Sequence, residues 1–283
     1  MKVLLAASPD RPATASILAE VRRIVATHAE IVAEIHADSA ALSGNLLFDR
    51  MVAVGGDGTL IAQLRRILDR GMPLVGVNSG RLGFLAEFDP TSLEAQAESI
   101  FGPNPLVRQR MVMDVIVKRK DGTVVFHGVA VNDVVVSAGF PFRMIELRLE
   151  FSGNMGPDVS GDGIIIASPV GSTAYTVSAG GPIVHPDVEA LIVTPICPHS
   201  LGFRPIVVPS HLDISVCVER ANDGTTLMLD GQTNIRLAVG DMIQVGRHQS
   251  MARLVGNPDV TYWQQLLSKM RWAAPPTYRD RGT

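Results

Sequence analysis

Cysteine is scarce: Cys197 and Cys217 are the only two in 283 residues. Two thiols without a CxxC pairing exclude a disulfide framework and point to a reducing, cytoplasmic setting. Aromatic residues make up 5% of the chain, too few for a platform on which nucleic-acid bases stack. Neither sign of charge dominates. With 25 Lys+Arg against 28 Asp+Glu, the formal net charge is −3, and no electrostatic footprint for nucleic acid results. No apolar run approaches the length of a membrane span, and Val3 to Ala7 at the amino end is too short for a secretory signal. Internal repeats and low-complexity tracts are also missing. Apolar residues and glycine are plentiful, at 46% hydrophobic with 26 Gly and 18 Pro. That is enough core material to exclude disorder, with many turns where backbone can approach a ligand closely.

The first hundred residues alternate strand and helix patterns. Strands are expected at residues 3–7, 31–36, 51–54 and 73–77. Helices are expected at 13–29, with Ile17, Leu18, Val21, Ile24 and Val25 on one face, and at 60–70, stopped by Gly71. Thr91, with Glu94 three positions on, reads as the cap of a further helix. This alternation predicts a doubly wound, Rossmann-like α/β domain over residues 1–104. From 105 to 256 the texture changes to short strands separated by turns such as Asp121-Gly122 and Asn222-Asp223-Gly224, which predicts an all-β, sandwich-like domain. One helical insertion at 172–179 ends at Gly180-Gly181-Pro182. Helical spacing of Trp263, Leu266, Leu267 and Met270 predicts a last helix with these four in its core face. It returns to complete the first domain through 257–272, and a loose Pro- and charge-rich tail follows at 273–283. Cys197, in an apolar strand, is expected to be a buried thiol.

Four segments carry chemistry. Val54-Gly55-Gly56-Asp57-Gly58-Thr59-Leu60 lies between a strand and a helix, where α/β sheets bind ligands. Its glycines let amides approach a phosphate, and a helix start favours anions. It is neither GxGxxG nor a Walker loop. Asp57 within it would repel a phosphate unless it serves a metal or takes a proton from a nucleophile; a capped tight turn is the alternative. Asn78-Ser79-Gly80-Arg81-Leu82-Gly83-Phe84-Leu85 is a second glycine-rich turn after a strand. Asn132-Asp133, inside a β-branched run, suits hydrogen bonding to sugar hydroxyls, or else a solvated bulge. Asp162 to Tyr175 runs from a strand through Gly171-Ser172-Thr173 into a helix start. Tyr175 offers a flat face and Ser178 lies one turn on; a Gly-Ser turn with a packed Tyr is the plainer alternative. The seven histidines show no HExxH or other metal spacing.

In this order GGDGTL, NSGRLGFL, ND, DGIIIASPVGSTAY and GGPIVHP resemble the bacterial NAD kinases, over about Val3 to Trp272. GGDGT alone is shared with other kinases; the GSTAY segment is far more specific. The resemblance implies Mg²⁺-dependent transfer of a phosphoryl group from ATP, or polyphosphate, to the 2′-hydroxyl of the adenosine ribose of NAD, forming NADP. It makes Asp57 the catalytic residue. It implies NAD contacts from Gly58, Asn132, Asp133, Arg143, Asp162, Val170, Thr173, Ala174, Tyr175, Ser178 and Gln232. Donor-phosphate contacts fall to Gly55, Gly56, Thr59 and Arg65, with no dedicated metal ligand. Asp133 stands where the family has the longer Glu, and Val170 where it often has Thr. Ser160, two before Asp162, replaces the basic residue associated with strict use of NAD over NADH. A homodimer or homotetramer is implied, with no nucleic-acid or membrane partner. Two other readings are a GGDGT kinase for another hydroxyl and a catalytically silent NAD(P)-binding sensor. The GSTAY segment and the ND pair argue against the first, and the retained Asp57 against the second.

Overall fold

The computed structural model describes residues 1–39, 42, 46–80, 83–270 and 272. Arg81 and Leu82 of the second glycine-rich turn, and the expected tail at 273–283, lie outside the described residues. The chain divides into two compact units. One comprises residues 1–63, 72–108 and 254–283, and the other 64–71 and 109–253.

The first unit is built around β1 (Lys2–Ala7), β2 (Glu30–His36), β3 (Arg50–Val54) and β4 (Leu74–Val77), with helices α1 (Pro12–His28), α2 (Asp57–Ile67), α3 (Pro90–Ala95) and α4 (Ala97–Ile100). Strands β5 (Val107–Arg110) and β18 (Ala252–Val255) complete a six-stranded sheet in the order β2-β1-β3-β4-β18-β5. Pairing is parallel from β2 to β18. All five residues of β3 and all four of β4 are buried, as expected for strands covered on both faces. The apolar stripe of α1, Leu18, Val21, Ile24 and Val25, packs in the same cluster as Val3, Leu5, Val52, Val54, Val75 and Val77. Helix α2 passes into a 3-10 turn at Leu68–Arg70 and ends at Gly71, whose φ of 63° is the left-handed cap that glycine adopts without penalty.

The second unit holds two six-stranded antiparallel sheets. The strands are β6 (Met113–Lys118), β7 (Val124–Ala130), β8 (Asp133–Ser137), β9 (Ile145–Phe151), β10 (Asn154–Gly161), β11 (Gly163–Ala167), β12 (Ala190–Ile196), β13 (Ile206–Pro209), β14 (Ile214–Arg220), β15 (Thr226–Leu229), β16 (Thr233–Arg236) and β17 (Met242–Arg247). One sheet runs β10-β9-β14-β17-β6-β7 and the other β13-β12-β11-β8-β15-β16. Val115, Leu147, Val216 and Ile243 of the first share a core with Val134, Ile164, Leu191 and Leu227 of the second. Strand β9 alternates buried and partly exposed residues, because only one face is covered. Strand β11 is buried throughout. The far face of its sheet, Val135, Ile165, Ala167 and Ile192, lies under Ala179 and Val184 of the insertion that carries α5 (Tyr175–Ser178).

Several local expectations change. The α3 cap is Asp89, not Thr91. Asp89 accepts a hydrogen bond from the Ser92 amide at 2.7 Å, with Pro90 at the first helical position, where its missing N–H costs nothing. Strands β5, β10 and β18 carried no usable sequence signal. Strand β10 reads Asn-Met-Gly-Pro-Asp-Val-Ser-Gly and pairs at a sheet edge with a register shift between Met155 and Asp158, the setting that tolerates Pro and Gly. The insertion at 172–179 is two short pieces, a 3-10 turn at Val170–Thr173 and α5, separated at Ala174. Cys197 is exposed, with φ 44°, just past the end of β12; only Cys217 is buried. In the last helix, α6 (Tyr262–Met270), Leu266 and Gln265 are buried, while Trp263 and Leu267 are 57% and 51% exposed. The expected core face therefore shrinks to part of its width.

Replacing Asp89 with Ala removes the α3 cap and is expected to cost about 1 kcal/mol. A thermal melt followed by circular dichroism should show Tm about 2–4 °C lower.

Candidate active site

In the first unit, adjacent parallel strands β3 and β4 end level with one another, Val54 opposite Val77. The loops that follow them therefore emerge side by side, the location where open α/β sheets bind ligands. After β3 the chain turns at Gly55 and Gly56 into α2, with Asp57 as its first residue. The Gly55 amide donates to the Val77 carbonyl at 2.9 Å, and a Cβ on Gly55 would sit 2.6 Å from Thr59 Oγ1. Thr59 Oγ1 also lies 3.5 Å from an Arg11 guanidinium nitrogen. The loop after β4 returns through a tight turn, in which the Gly83 amide donates to the Ala86 carbonyl at 3.2 Å.

That turn grips the Asp57 carboxylate. Oδ2 accepts the Phe84 amide at 2.8 Å, and Oδ1 accepts the amides of Leu85 at 3.1 Å and Ala86 at 3.2 Å. Any side chain on Gly83 would collide with the carboxylate, so this position admits only glycine. Among the described residues, three of roughly four acceptor positions of the carboxylate are thereby filled, and the remaining one lies on Oδ2.

The second unit assembles another polar group. Asn132 precedes β8 and Asp133 begins it. The hairpin between β15 and β16 turns at Asp230-Gly231, both left-handed at φ 51° and 65°, a conformation that Asp and Gly tolerate best. This bend aims the fully buried Asp230 carboxylate at the backbone before β8. It accepts amides from Val131 at 3.0 Å, Asn132 at 2.7 Å and Asp133 at 3.2 Å. Arg65, in the part of α2 that clusters with this unit, lies 3.9 Å from Asp230 and donates to Thr233 Oγ1 at 3.0 Å. Burial raises Asp230 above the ordinary carboxylate range. Burial and the neighbouring Asp230 push Asp133 up to about 6, against a backbone hydrogen bond from Tyr175 that favours its ionised form.

The GSTAY segment packs against the same backbone. Ser168 Oγ donates to the Val131 carbonyl at 2.6 Å and accepts the Gly171 amide at 3.2 Å. A Cβ on Gly171 would strike the Asn132 carbonyl. Asn132 Oδ1 is buried and, among the described residues, has no hydrogen-bond partner. Val170 is buried; Thr173 and Ala174 are partly exposed; Tyr175 and Ser178 are exposed.

These contacts bring Asn132, Asp133, Tyr175 and the backbone of Gly171 together with Arg65. Asp162, between β10 and β11, is exposed, and its carbonyl accepts the Ala138 amide at 2.8 Å. Arg143 is exposed on the loop before β9, its carbonyl accepting from Asn222 at 2.8 Å. Gln232 is exposed beyond the Asp230-Gly231 turn, and Gly58 is exposed in the first turn of α2. Arg65, expected to meet donor phosphates, lies near Asp230 and donates to Thr233.

Sequence reading missed Asp230 as a buried partner, although Asp-Gly marked its turn. It missed the amides of 84–86, which carry no residue-type signal, and Arg11, which stands on a different loop. Among the described residues no three His, Cys, Asp or Glu side chains gather as a candidate metal site. No described helix is long and apolar enough to cross a membrane.

Asp133 predicts a pH effect on stability. Its folded pKa of about 6 exceeds the value of 3.8 for a free side chain. The folded chain therefore binds more protons between these limits, and stability falls as pH rises through that window. Asp133→Asn keeps an acceptor for the Tyr175 amide and removes the titration. Urea unfolding from pH 4 to 8 should show a flatter dependence, with the variant more stable than wild type at pH 8 by about 1–3 kcal/mol.

Comparison with known proteins converges on one family. Residues 4–104 match the model for the ATP-NAD kinase N-terminal domain, and 131–256 that for the ATP-NAD kinase C-terminal domain. The NAD kinase of Magnetococcus marinus is 39% identical over 225 residues, covering 80% of this chain and 74% of that protein. That of Geobacter metallireducens is 40% identical over 226 residues, 80% of each. Among solved structures, an NAD kinase from Archaeoglobus fulgidus in complex with ATP superposes with a TM-score of 0.74 at 27% identity, covering 96% of this chain and 99% of that one. The yeast NADH kinase complexed with NADH shares the fold, with a TM-score of 0.86 at 23% identity over 100% and 90%. The chain belongs to the NAD kinase family.

Proposed function

We propose that the chain, as a member of this family, transfers the γ-phosphoryl group of ATP to the 2′-hydroxyl of the adenosine ribose of NAD, forming NADP, with Asp57 as general base. The observation that carries this reading is the Asp57 carboxylate, oriented by three amides with one acceptor position left on Oδ2. A ribose hydroxyl is a poor nucleophile at neutral pH. Its proton passes to Oδ2, its oxygen bonds to the γ-phosphorus, and the bond to the β-phosphate oxygen breaks, releasing ADP. Positioning and charge neutralisation supply the rest.

We assign the donor phosphates to the amides of Gly55 and Gly56 and the hydroxyl of Thr59 at the start of α2, where helix-terminal N–H groups favour anions. Arg11, hydrogen-bonded to Thr59, adds positive charge there. Arg65, 3.9 Å from the buried Asp230, we also assign to the donor phosphates. Mg²⁺ would be carried mainly on the donor phosphates, where it would neutralise charge on their oxygens. Polyphosphate as a second donor rests on Thr59 alone.

For the acceptor, we assign Asn132 Oδ1 to the exocyclic amino group of the adenine, because this buried acceptor has no partner among the described residues. We further assign Val170, Thr173, Ala174, Tyr175 and Ser178 to NAD, and Gly58 with them on the resemblance alone. Asp162, Gln232 and Arg143 serve the remainder of the dinucleotide. Asp133, one carbon shorter than the Glu of the family, is tied to the Tyr175 amide and holds the start of α5. We infer a homo-oligomer from the family resemblance. Two cysteines free of disulfides agree with a cytoplasmic setting.

Purified protein with MgATP and NAD should form NADP, measured with an NADP-specific dehydrogenase, and Asp57→Asn should lower kcat about 10²–10⁴-fold. Retained NAD binding with no NADP from the wild type would instead identify a silent sensor.

A further inference from the structure

Helix α6 makes two contacts that a merely packed terminal helix would not need. Gln265, buried and one turn before Lys269, donates through Nε2 to the Gly83 carbonyl at 3.2 Å. Lys269 Nζ lies 4.9 Å from the centre of the Phe84 ring, within the range of a cation–π attraction. Residues at i and i+4 share one helix face, so this face takes hold of two consecutive residues, Gly83 and Phe84. Gly83 closes the turn onto Ala86, and Phe84 donates the 2.8 Å hydrogen bond to Asp57 Oδ2. Lys269 is also within electrostatic reach of Asp57: burial lowers its pKa, and the Asp57 carboxylate opposes that shift.

We propose that Gln265 and Lys269 of α6 are positioning residues for the phosphoryl transfer, holding the 83–86 turn against Asp57 so that the free acceptor position of its carboxylate points at the ribose hydroxyl. Lys269 adds the positive charge that faces the carboxylate, and Gln265 sets the turn's carbonyl. Neither touches the reacting atoms. The inference rests on Asp57 being the base.

The test is a double-mutant cycle with kinetics of each protein. Lys269→Met keeps the length of the stem and removes the charge. It should lower kcat about 10–100-fold, leave KM for NAD and for MgATP within about twofold of wild type, and leave Tm unchanged. Lys269→Arg should restore most of the rate. In an Asp57→Asn background the same Lys269→Met change should have almost no further effect, because residues that act through one another are not additive. Gln265→Leu provides a second route and should show the same pattern with a smaller loss. Equal fold-losses from Lys269→Met in both backgrounds would overturn the proposal. So would an intact kcat with a raised KM for MgATP, which would make Lys269 a phosphate contact. Full activity of Asp57→Asn would overturn the reading of Asp57 itself, and it is scored separately from the α6 variants.

Discussion

A carboxylate among glycines at the start of a helix holds one direction only if something fixes it. Here three amides of residues 84–86 do so, and much of the first unit follows from that need. The amides reach Asp57 because β3 and β4 are parallel neighbours that end together. The turn can approach because position 83 has no Cβ, and Gly76 similarly leaves room beside Leu60. The buried, double-faced strands hold both loops at that spacing. A fixed carboxylate with one open acceptor position is a more selective device than a solvated one, since only a hydroxyl presented from one direction can use it.

The second unit carries buried charge. Asp133 and Asp230 are both raised above the ordinary carboxylate range by burial, and Asp230 further raises Asp133. Such an arrangement persists because amides of Val131, Asn132 and Asp133 and the guanidinium of Arg65 surround Asp230. The left-handed Asp230-Gly231 corner places that carboxylate where the backbone before β8 needs an acceptor. Departures from ideal stability of this kind cluster at working sites.

Much of the architecture was legible in the chain. Strict alternation in β9 and unbroken apolar runs in β1, β3 and β11 reported which strands are covered on one face and which on two. Gly71 and Asp121-Gly122 marked a helix end and a hairpin by conformational need. The chemical segments were readable because their residue types are unusual where they stand, as Asp57 is among glycines. Strand β10 was not readable, because edge pairing relaxes the demand for β-formers. The exposure of Cys197 was missed because its neighbours in sequence, not its left-handed position at the end of β12, suggested burial.

Sequence by itself determined the family, the order of the two kinds of sheet and the place of the Asp57 carboxylate among its glycines. Each of these rests on local pattern: hydrophobic period, turn residues and motif spacing. Tertiary structure alone decided what holds Asp57, which residue Arg65 answers, that Asp230 lies buried beside Asp133, and that Gln265 and Lys269 face Gly83 and Phe84 rather than a core. These are meetings of residues tens to hundreds of positions apart, and most involve backbone amides or carbonyls that every residue carries. No local pattern records such a meeting, because only the path of the folded chain decides which of these groups come within hydrogen-bond distance.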